Sequence, residues 1–265
     1  MKHKKLKISS FTAILLLVVS VFLFAKFRNT GRDLPQINRS GYLRVAIDGG
    51  RLGFMVQEDS VCGLQYELIK AFADSLGLEL RFIRENDIRE NVDDLLGGNC
   101  DIVASYIPRS KEWIGEVSLT RPLLTTRAVL VQYCEADNKI IEKQYDLAND
   151  TIYLPENSPF EMRIKNLSEE IAEPIHIIEI KDKSIDQIVK LVADGKIKQT
   201  VCTEQLAKRM LLENPTIDVS LLISFEQEYC WAVHHKSRLL LIKLNAFLDN
   251  MLETSEYWNI YRKYI

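Results

Sequence analysis

The stretch GLQYELIKAFADSLGLEL, residues 63–80, decides the class of fold. Its apolar residues recur three and four positions apart, the spacing of one helix face, and Gly77 is the residue type that ends helices. The run LELRFI (78–83) then alternates apolar and polar residues as a strand does. Before the helix, YLRVAID (42–48) is rich in strand-forming residues and leads into the turn signal Asp48-Gly49-Gly50. Strand, helix and strand in this order predict a βαβ unit with parallel strands.

The same alternation continues along the chain. Further helices are predicted over 88–96, 160–171, 184–194, 203–213, 239–253 and 255–265, and further strands at DIVASYI (101–107), AVLVQY (128–133), TIYL (151–154), IHIIEI (175–180), QTVC (199–202), VSLLISF (219–225) and YCWAVHH (229–235). We predict an α/β fold of two lobes, with mostly parallel sheets covered by helices on both faces. Ligands of such folds bind in the cleft, at the carboxyl ends of the strands.

Charge is spread unevenly along the 265 residues. Residues 1–28 hold six lysines and arginines and no acidic residue, whereas the whole chain has a net charge of −3, so residues 29–265 carry −9. An acidic body argues against a nucleic-acid partner, because phosphates require a basic surface.

The N-terminus has the pattern of a signal anchor. MKHKKLK is followed by an uncharged run, residues 9–25, and then by Lys26 and Arg28. The run is barely long enough to span a bilayer, but flanking basic side chains can snorkel to its surfaces. Cleavage after Ala25 would place Leu23 where a small residue is required, so we favour an uncleaved anchor over a cleaved signal. Basic residues stay cytoplasmic, which predicts a single-pass protein of the inner membrane with its body in the periplasm.

No motif for catalysis or cofactor binding appears. The chain has no Gly-x-Ser-x-Gly, phosphate-binding loop or HExxH, and its five cysteines form no CxxC or CxxH pair, so we expect no enzyme, metal or cofactor. The cysteines are interpreted as small buried hydrophobic residues.

Several segments resemble the bacterial extracellular solute-binding proteins of family 3, which have the type 2 periplasmic-binding fold. The segments are 63–80, LLGGNCDIVAS (95–105), LTRPLLTTRAVLVQ (119–132), LVADGKIKQTVCTE (191–204) and CWAVHHKS (230–237). They are most similar to the non-catalytic solute-binding-like domain of membrane-bound lytic transglycosylase F. The charge and apolar pattern predicts an anchor over 1–28, and the polar composition with Gly and Pro predicts a tether over 29–41. The resemblance implies a binding domain over 42–265. Lobe 1 would comprise 42–132 and 225–265, and lobe 2 would comprise 133–224, with hinge strands near 128–133 and 225–231.

The resemblance also implies where an amino-acid ligand would be clamped. In the family, an arginine a dozen positions after the aspartate at Asp101 binds the ligand carboxylate, followed seven positions later by a serine. The same count here reaches Trp113 and Thr120. The aspartate that binds the ligand ammonium corresponds to Thr203, with Glu204 adjacent. Both charges of the clamp are therefore replaced, which argues against a standard amino-acid receptor. Glu204, Arg121 or Lys111 are alternative sources of charge.

The candidate ligand-binding residues are Asp48, Phe54, Tyr106, Trp113, Thr120, Ser158, Thr203 and Glu204. Trp113 either stacks on a ligand ring or packs as an aromatic anchor, and Phe54 and Tyr106 face the cleft or belong to the core. Ser158 either caps a helix or holds an anion at its N-terminus. Arg127 is a pocket cation or a partner in a surface ion pair.

The sequence therefore predicts a membrane-anchored periplasmic binding or sensor protein for a small polar ligand. A peptidoglycan-derived fragment is one such ligand, and a membrane or cell-wall protein is one expected partner. Two alternatives remain at this stage. One is a non-catalytic regulator or remnant of a lytic transglycosylase, and the other is the binding component of an amino-acid transporter.

Overall fold

The structure is a computed structural model that describes residues 31–57, 60–84, 86–134 and 140–265. The predicted anchor, residues 9–25, lies outside these ranges. None of the helices within them is long and apolar enough to cross a membrane.

The first lobe is built on a sheet of six strands. Its elements are α1 Leu34–Ser40, β1 Tyr42–Ile47, β2 Met55–Gln57, β3 Ser60–Cys62, α2 Leu64–Leu76, β4 Glu79–Arg84, α3 Ile88–Leu96, β5 Ile102–Pro108, α4 Lys111–Ile114, β6 Ser118–Leu119, β7 Leu124–Thr126, β13 Gln227–Val233, α8 Arg238–Met251 and α9 Ser255–Tyr264. The strand order is β4-β1-β5-β13-β6, with β7 also paired to β13, and the hairpin β2-β3 stands apart. β1 is parallel to β4 and β5, whereas β13 is antiparallel to β5.

The second lobe has a sheet of five strands. It comprises β8 Ala128–Tyr133, a 3₁₀ helix Gln144–Leu147, β9 Thr151–Pro155, α5 Glu161–Ile171, β10 His176–Ile180, α6 Ile185–Ala193, β11 Gln199–Thr203, α7 Glu204–Glu213 and β12 Ile217–Asp218, in the order β10-β9-β11-β8-β12. β9, β10 and β11 are parallel, and β8 is antiparallel to β11. The predicted two-lobed α/β architecture is confirmed.

Two segments differ from the expectation. β8, assigned up to Gln132 to lobe 1, pairs with β11 and β12 of the second sheet. The run 219–225, expected as a strand, makes only one isolated bridge, Val129 to Leu222, although Leu221 and Ile223 are buried. Its apolar residues are only partly buried, since Phe225 is exposed, and its backbone hydrogen bonds to β8, from Leu130 N–H to Leu221 O at 2.9 Å and from Ile223 N–H to Ala128 O at 2.8 Å, do not form a continuous ladder.

The chain crosses between the lobes twice, at neighbouring positions. The first crossing is at Arg127, between β7 and β8, and the second lies just before β13. An ion pair of 3.1 Å joins Arg127 to Glu226, and the backbone N–H of Ala128 donates to Ser224 Oγ at 2.9 Å. The surface ion pair considered for Arg127 is therefore present, and it links the two crossings.

Helix α2 shows why the opening stretch folds as predicted. Its apolar face is buried, with Phe72 and Ile69 fully inaccessible. Gly77 ends the helix in the left-handed region at φ 66°, where a side chain would be strained. The chain then returns directly into β4, in register with β1 from Tyr42–Glu79 onward.

The segment expected to be a tether is folded from Gly31 onward, the first residue that the structure describes. Asp33 caps α1, because its carboxylate accepts the N–H of Leu34 at 2.8 Å. The same carboxylate accepts the N–H of Leu240 at 2.8 Å, which ties α1 to the start of α8. Ile37 is fully buried. The polar composition of this segment concealed a helix whose apolar contacts with the core come from Ile37 and Leu34.

A buried ion cluster fixes this segment to the sheet. The side chain of Asp101, just before β5, has no exposed surface, and Arg32 binds it with two hydrogen bonds of 2.9 and 2.5 Å. Arg44 on β1 adds its backbone N–H at 2.9 Å and its guanidinium at 2.8 Å. Burial opposes ionisation of Asp101, but these hydrogen bonds outweigh it and hold the pKa of Asp101 below its usual value.

Removing Arg32 should destabilise the folded protein. We expect Arg32→Ala to lower the free energy of unfolding by about 1–3 kcal/mol, because Asp101 stays buried with fewer donors while Arg44 remains. Arg39→Ala, on the exposed face of α1, is the matched control and should change it by less than about 0.5 kcal/mol. Urea unfolding measures both, and equal effects would show that the Arg32 contact is unimportant.

Candidate functional site

A cavity of about 80 Å³ lies between the two lobes. The first lobe lines it with Asp48, Leu52, Asn86, Ile88, Asn91, Ser105, Tyr106 and Tyr229, and the second with Pro155, Ser158, Pro159, Phe160, Lys183, Ser184, Ile185, Thr203 and Leu206. Most of the lining is apolar, with a few polar groups converging on it, which is typical of a site for a small molecule.

Strand ends place the polar groups at this cavity. Asp48 follows β1, Ser105 lies on the neighbouring strand β5, and Thr203 is the last residue of β11. Because parallel strands present their carboxyl ends at one edge of a sheet, Asp48 and Ser105 meet there, and the N–H of Asp48 donates to Ser105 Oγ at 3.2 Å. Thr203 reaches the cavity from the corresponding edge of the second sheet.

The carboxylate of Asp48 has fewer hydrogen-bond partners than it can accept. Its Oδ1 atom is buried and has no hydrogen-bond partner among the residues that the structure describes. Burial, assisted by the negative charge of Asp186 and opposed by a hydrogen bond with Ser105, raises the pKa of Asp48 to about 6. A buried acceptor without a donor is costly, so this atom is suited to bind a ligand group that donates.

Thr203 presents a second unsatisfied group from the opposite lobe. The residue is 4% exposed, and within the described part of the chain its Oγ1 has no partner. A hydroxyl both donates and accepts, so it adapts to either kind of ligand atom.

Aromatic rings form the apolar wall. The ring of Tyr229 lies 5.9 Å from that of Tyr106 and 6.5 Å from that of Phe160, measured between centroids. Tyr106 and Tyr229 come from lobe 1 and Phe160 from lobe 2, so the wall joins both lobes. Tyr106, predicted to face either the cleft or the core, lines the cavity.

The two lobes touch around the cavity. Asn157 Nδ2 donates to Asp87 Oδ2 at 2.5 Å, and Arg51 forms an ion pair of 2.8 Å with Glu213. At Gly50 the approach is so close that a Cβ would lie 2.2 Å from Asp186 Oδ1. The lobes are therefore in close contact here, and a side chain at Gly50 would require Ser184 and Asp186, at the start of α6, to move.

Four of the eight candidate residues line this cavity: Asp48, Tyr106, Ser158 and Thr203. Ser158 is buried, and its Oγ accepts the N–H of Phe160 at 3.3 Å. The N-cap of α5 is Phe160 itself, so Ser158 is not the cap of that helix.

The other four candidates lie elsewhere. Phe54 packs in an aromatic cluster, with ring centroids 5.5 Å from Tyr66 and 5.3 Å from Phe82. Thr120 is buried within the first sheet, where its Oγ1 accepts the N–H of Trp231 at 3.0 Å. Glu204 begins α7 and forms an ion pair of 2.5 Å with Lys208.

Trp113 is anchored in the core of lobe 1. It is 3% exposed, packs in a cluster with Val92 and Val117, and has the Arg89 guanidinium 5.0 Å from its ring centroid. It does line a second interlobe cavity of about 70 Å³, which shares Ile88, Ser158 and Pro159 with the first. The structure places Trp113 beside the main cavity and not in it.

The arginines near the expected carboxylate clamp are all engaged. Between residues 107 and 127 they are Arg109, Arg121 and Arg127, and they pair with Glu228 at 2.7 Å, Asp249 at 2.8 Å and Glu226 at 3.1 Å. None of them lines the cavity between the lobes. Arg121, considered as a replacement for the clamp, is bound to α8.

Sequence reasoning missed part of the lining, above all Lys183, Ile185 and Leu206. Lys183 and Ile185 flank Ser184 at the start of α6, and Leu206 lies in the first turn of α7. The predicted helix starts near 184 and 203 were the available signal, because helix N-termini at strand ends border the cleft in this class of fold.

Comparisons with known proteins agree with this geometry. The family model of the bacterial extracellular solute-binding proteins, family 3, matches residues 43–265. Membrane-bound lytic murein transglycosylase F of Desulfosudis oleivorans is 23% identical over 248 residues, which are 94% of this chain and 54% of the relative. The protein of the same name from Aeromonas salmonicida is 28% identical over 219 residues, 82% of this chain and 43% of the relative. The chain thus spans about half the length of these curated relatives.

A solved structure shares this fold. The solute receptor for L-cysteine of Neisseria gonorrhoeae superposes with a TM-score of 0.75 at 17% identity, covering 88% of this chain and 94% of the receptor. The fold is the two-lobed type 2 periplasmic-binding fold.

Neutralising Asp48 should remove a pH dependence of stability. The pKa of Asp48 is about 6 in the folded protein and about 3.9 in an unfolded chain. The folded state therefore binds more protons between these values, and the free energy of unfolding falls as pH rises through this window. We expect Asp48→Asn to be more stable than the parent chain at about pH 8, by up to about 3 kcal/mol, and equal to it near pH 4.

The control for this substitution is Asp182→Asn, the same chemical change at an exposed residue. Thermal unfolding at a series of pH values checks the prediction. A constant difference between Asp48→Asn and the parent chain at all pH values would contradict it.

Proposed function

Because the chain belongs to the bacterial extracellular solute-binding proteins of family 3, we propose that it binds a small polar solute between its two lobes and closes around it. The observation that carries the proposal is the interlobe cavity, where the buried atoms Asp48 Oδ1 and Thr203 Oγ1 have no partner among the described residues. Such atoms are costly in an empty cavity and become favourable when a ligand bonds to them.

Closure follows from the connections between the lobes. The two crossings, at Arg127 and before β13, lie side by side and are joined by the Arg127–Glu226 ion pair. Two adjacent short connections allow a hinge rotation that opens the cavity at the opposite side. The contacts Asn157–Asp87 and Arg51–Glu213 are the ones that form on closure.

We further propose that the body is exported and held at the inner membrane by residues 9–25. The support is the uncharged run behind a lysine-rich head. A tethered binding domain is suited to sensing, because it reports ligand to a neighbouring protein and does not diffuse to a transporter.

The curated relatives supply a second candidate. Membrane-bound lytic murein transglycosylase F resembles this chain over about half of the relative's length. In this alternative the domain responds to a peptidoglycan fragment and regulates a cell-wall hydrolase.

Thr203 provides a test of binding. The chain is screened by thermal shift against amino acids, muropeptides and sugars, and the ligand with the largest shift is used for comparison. We expect Thr203→Val to weaken its affinity about three- to tenfold through loss of one hydrogen bond, and to raise the melting temperature of the unliganded protein by removing a buried unsatisfied hydroxyl.

Thr125→Val is the control, because Thr125 is exposed on β7, away from the cavity. It should leave both quantities unchanged. A parent chain that responds to none of these ligands would argue against solute binding.

The anchor is tested separately with alkaline phosphatase fused after Ile265. The fusion should be active, since the body is exported, and should remain in the membrane fraction after carbonate extraction. An inactive fusion, or release of the fusion by carbonate, would show that residues 9–25 do not act as an exported anchor.

A further inference from the structure

Two charged side chains line the interlobe cavity within the part of the chain that the structure describes, and they are opposite in sign. Asp48 comes from lobe 1, and Lys183 comes from lobe 2, just before α6. The remaining lining residues are uncharged. The cavity therefore has an anionic side and a cationic side, one on each lobe.

Neither charge is neutralised. Asp48 Oδ1 has no hydrogen-bond partner, and Lys183 forms no ion pair, with any residue in the described ranges. The neighbouring lysine differs, because Lys181 binds Glu156 at 2.8 Å. Asp186, in α6 of lobe 2, also lies near Asp48 and adds negative charge around that carboxylate. A buried carboxylate atom without a partner and a half-exposed lysine without an ion pair, both at one small cavity, favour a ligand that brings both opposite charges.

Other charges cannot take over these positions. The arginines of segment 107–127 are held by Glu228, Asp249 and Glu226 outside the cavity. Glu204 is held by Lys208 and does not line the cavity. The charge pattern of the site is therefore set by Asp48 and Lys183.

Building on the proposed function, we propose that the cleft binds a small zwitterion with its ammonium group on Asp48 of lobe 1 and its anionic group on Lys183 of lobe 2. This polarity is the reverse of the clamp implied by the family resemblance, in which lobe 1 supplies the cation and lobe 2 the anion. Thr203 Oγ1, buried and without a partner among the described residues, completes the polar contacts.

The rest of the cavity selects the body of the ligand. Its walls are apolar and aromatic, including Leu206, Phe160 and Tyr229, so the part of the ligand outside its two charged groups is apolar. The cavity is small, which favours a compact ligand. A ligand bound to both charges connects the two lobes, because Asp48 belongs to lobe 1 and Lys183 to lobe 2.

Three matched probes separate the two ends: leucine, isopentylamine, which lacks its carboxylate, and 4-methylpentanoate, which lacks its ammonium. Affinities are measured by calorimetry on the 265-residue chain in detergent. We expect leucine to bind about ten- to a hundredfold more tightly than either analogue, because each charge-assisted hydrogen bond contributes about 1.5–3 kcal/mol.

Substitutions show which residue binds each charged group of the ligand. Asp48→Asn should weaken leucine and isopentylamine but leave 4-methylpentanoate unaffected or tighter, whereas Lys183→Gln should weaken leucine and 4-methylpentanoate but not isopentylamine. Asp182→Asn and Lys181→Gln, in the adjacent turn, are the matched controls and should change no affinity. Circular dichroism confirms that each variant is folded.

The outcomes separate this inference from solute binding itself. If a ligand from the wider screen of amino acids, muropeptides and sugars binds and neither Asp48→Asn nor Lys183→Gln weakens it, the reversed clamp is wrong while solute binding stands. If leucine binds no more tightly than its two analogues, the requirement for both charges is also wrong. If the parent chain binds nothing in either set of compounds, solute binding fails together with the clamp.

Discussion

The carboxylate of Asp101 must be hydrogen-bonded because its side chain has no exposed surface. Its donors come from Arg32 ahead of α1 and from the backbone and side chain of Arg44 on β1. These bonds fix β5 beside β1, and the register continues through Val45–Ile102. The far ends of the same two strands carry Asp48 and Ser105 to the cleft. The position of the candidate site therefore depends on an ion cluster at the opposite end of the sheet.

Two aspartates at opposite ends of this strand pair show how environment divides structural from ligand-binding carboxylates. Both are removed from water, but two guanidinium groups surround Asp101, whereas Ser105 alone assists Asp48. The pKa of Asp101 is lowered and that of Asp48 is raised for this reason. The carboxylate of Asp101 is fully neutralised, whereas that of Asp48 lacks part of its hydrogen-bond partners. Asp48 is therefore available to bind a ligand.

Local sequence patterns predicted most of the elements, because helix periodicity and glycine caps act over short distances. Helix α2 and strands β1 and β5 were recovered for this reason. The elements that differ from the prediction are decided by contacts between residues distant in sequence. α1 depends on the contact of Asp33 with α8 and on that of Arg32 with Asp101. The strand-like run 219–225 is only partly buried and lacks continuous pairing.

The candidate site likewise includes residues that the sequence predicted and residues that contacts distant in sequence decide. Asp48, Tyr106 and Ser158 were placed at the cavity by their positions at strand ends or a helix start, and Thr203 by its correspondence to the family's aspartate. Trp113 was chosen by counting along the chain, but its environment is set by packing among Val92, Val117 and Arg89, which no count reveals. Lys183 lines the cavity only because the lobes meet.

The docking of α1 has a consequence for where the folded unit begins. Family similarity starts at residue 43, yet one of the two arginines that bind Asp101 is Arg32, and the cap of α8 is Asp33. A protein trimmed to the similar region would carry a buried carboxylate with half of its neutralising charge removed, and α8 would lack its cap. Recombinant boundaries, sequence profiles and domain swaps with relatives should therefore start no later than Gly31, so that the segment ahead of the similar region is treated as part of lobe 1.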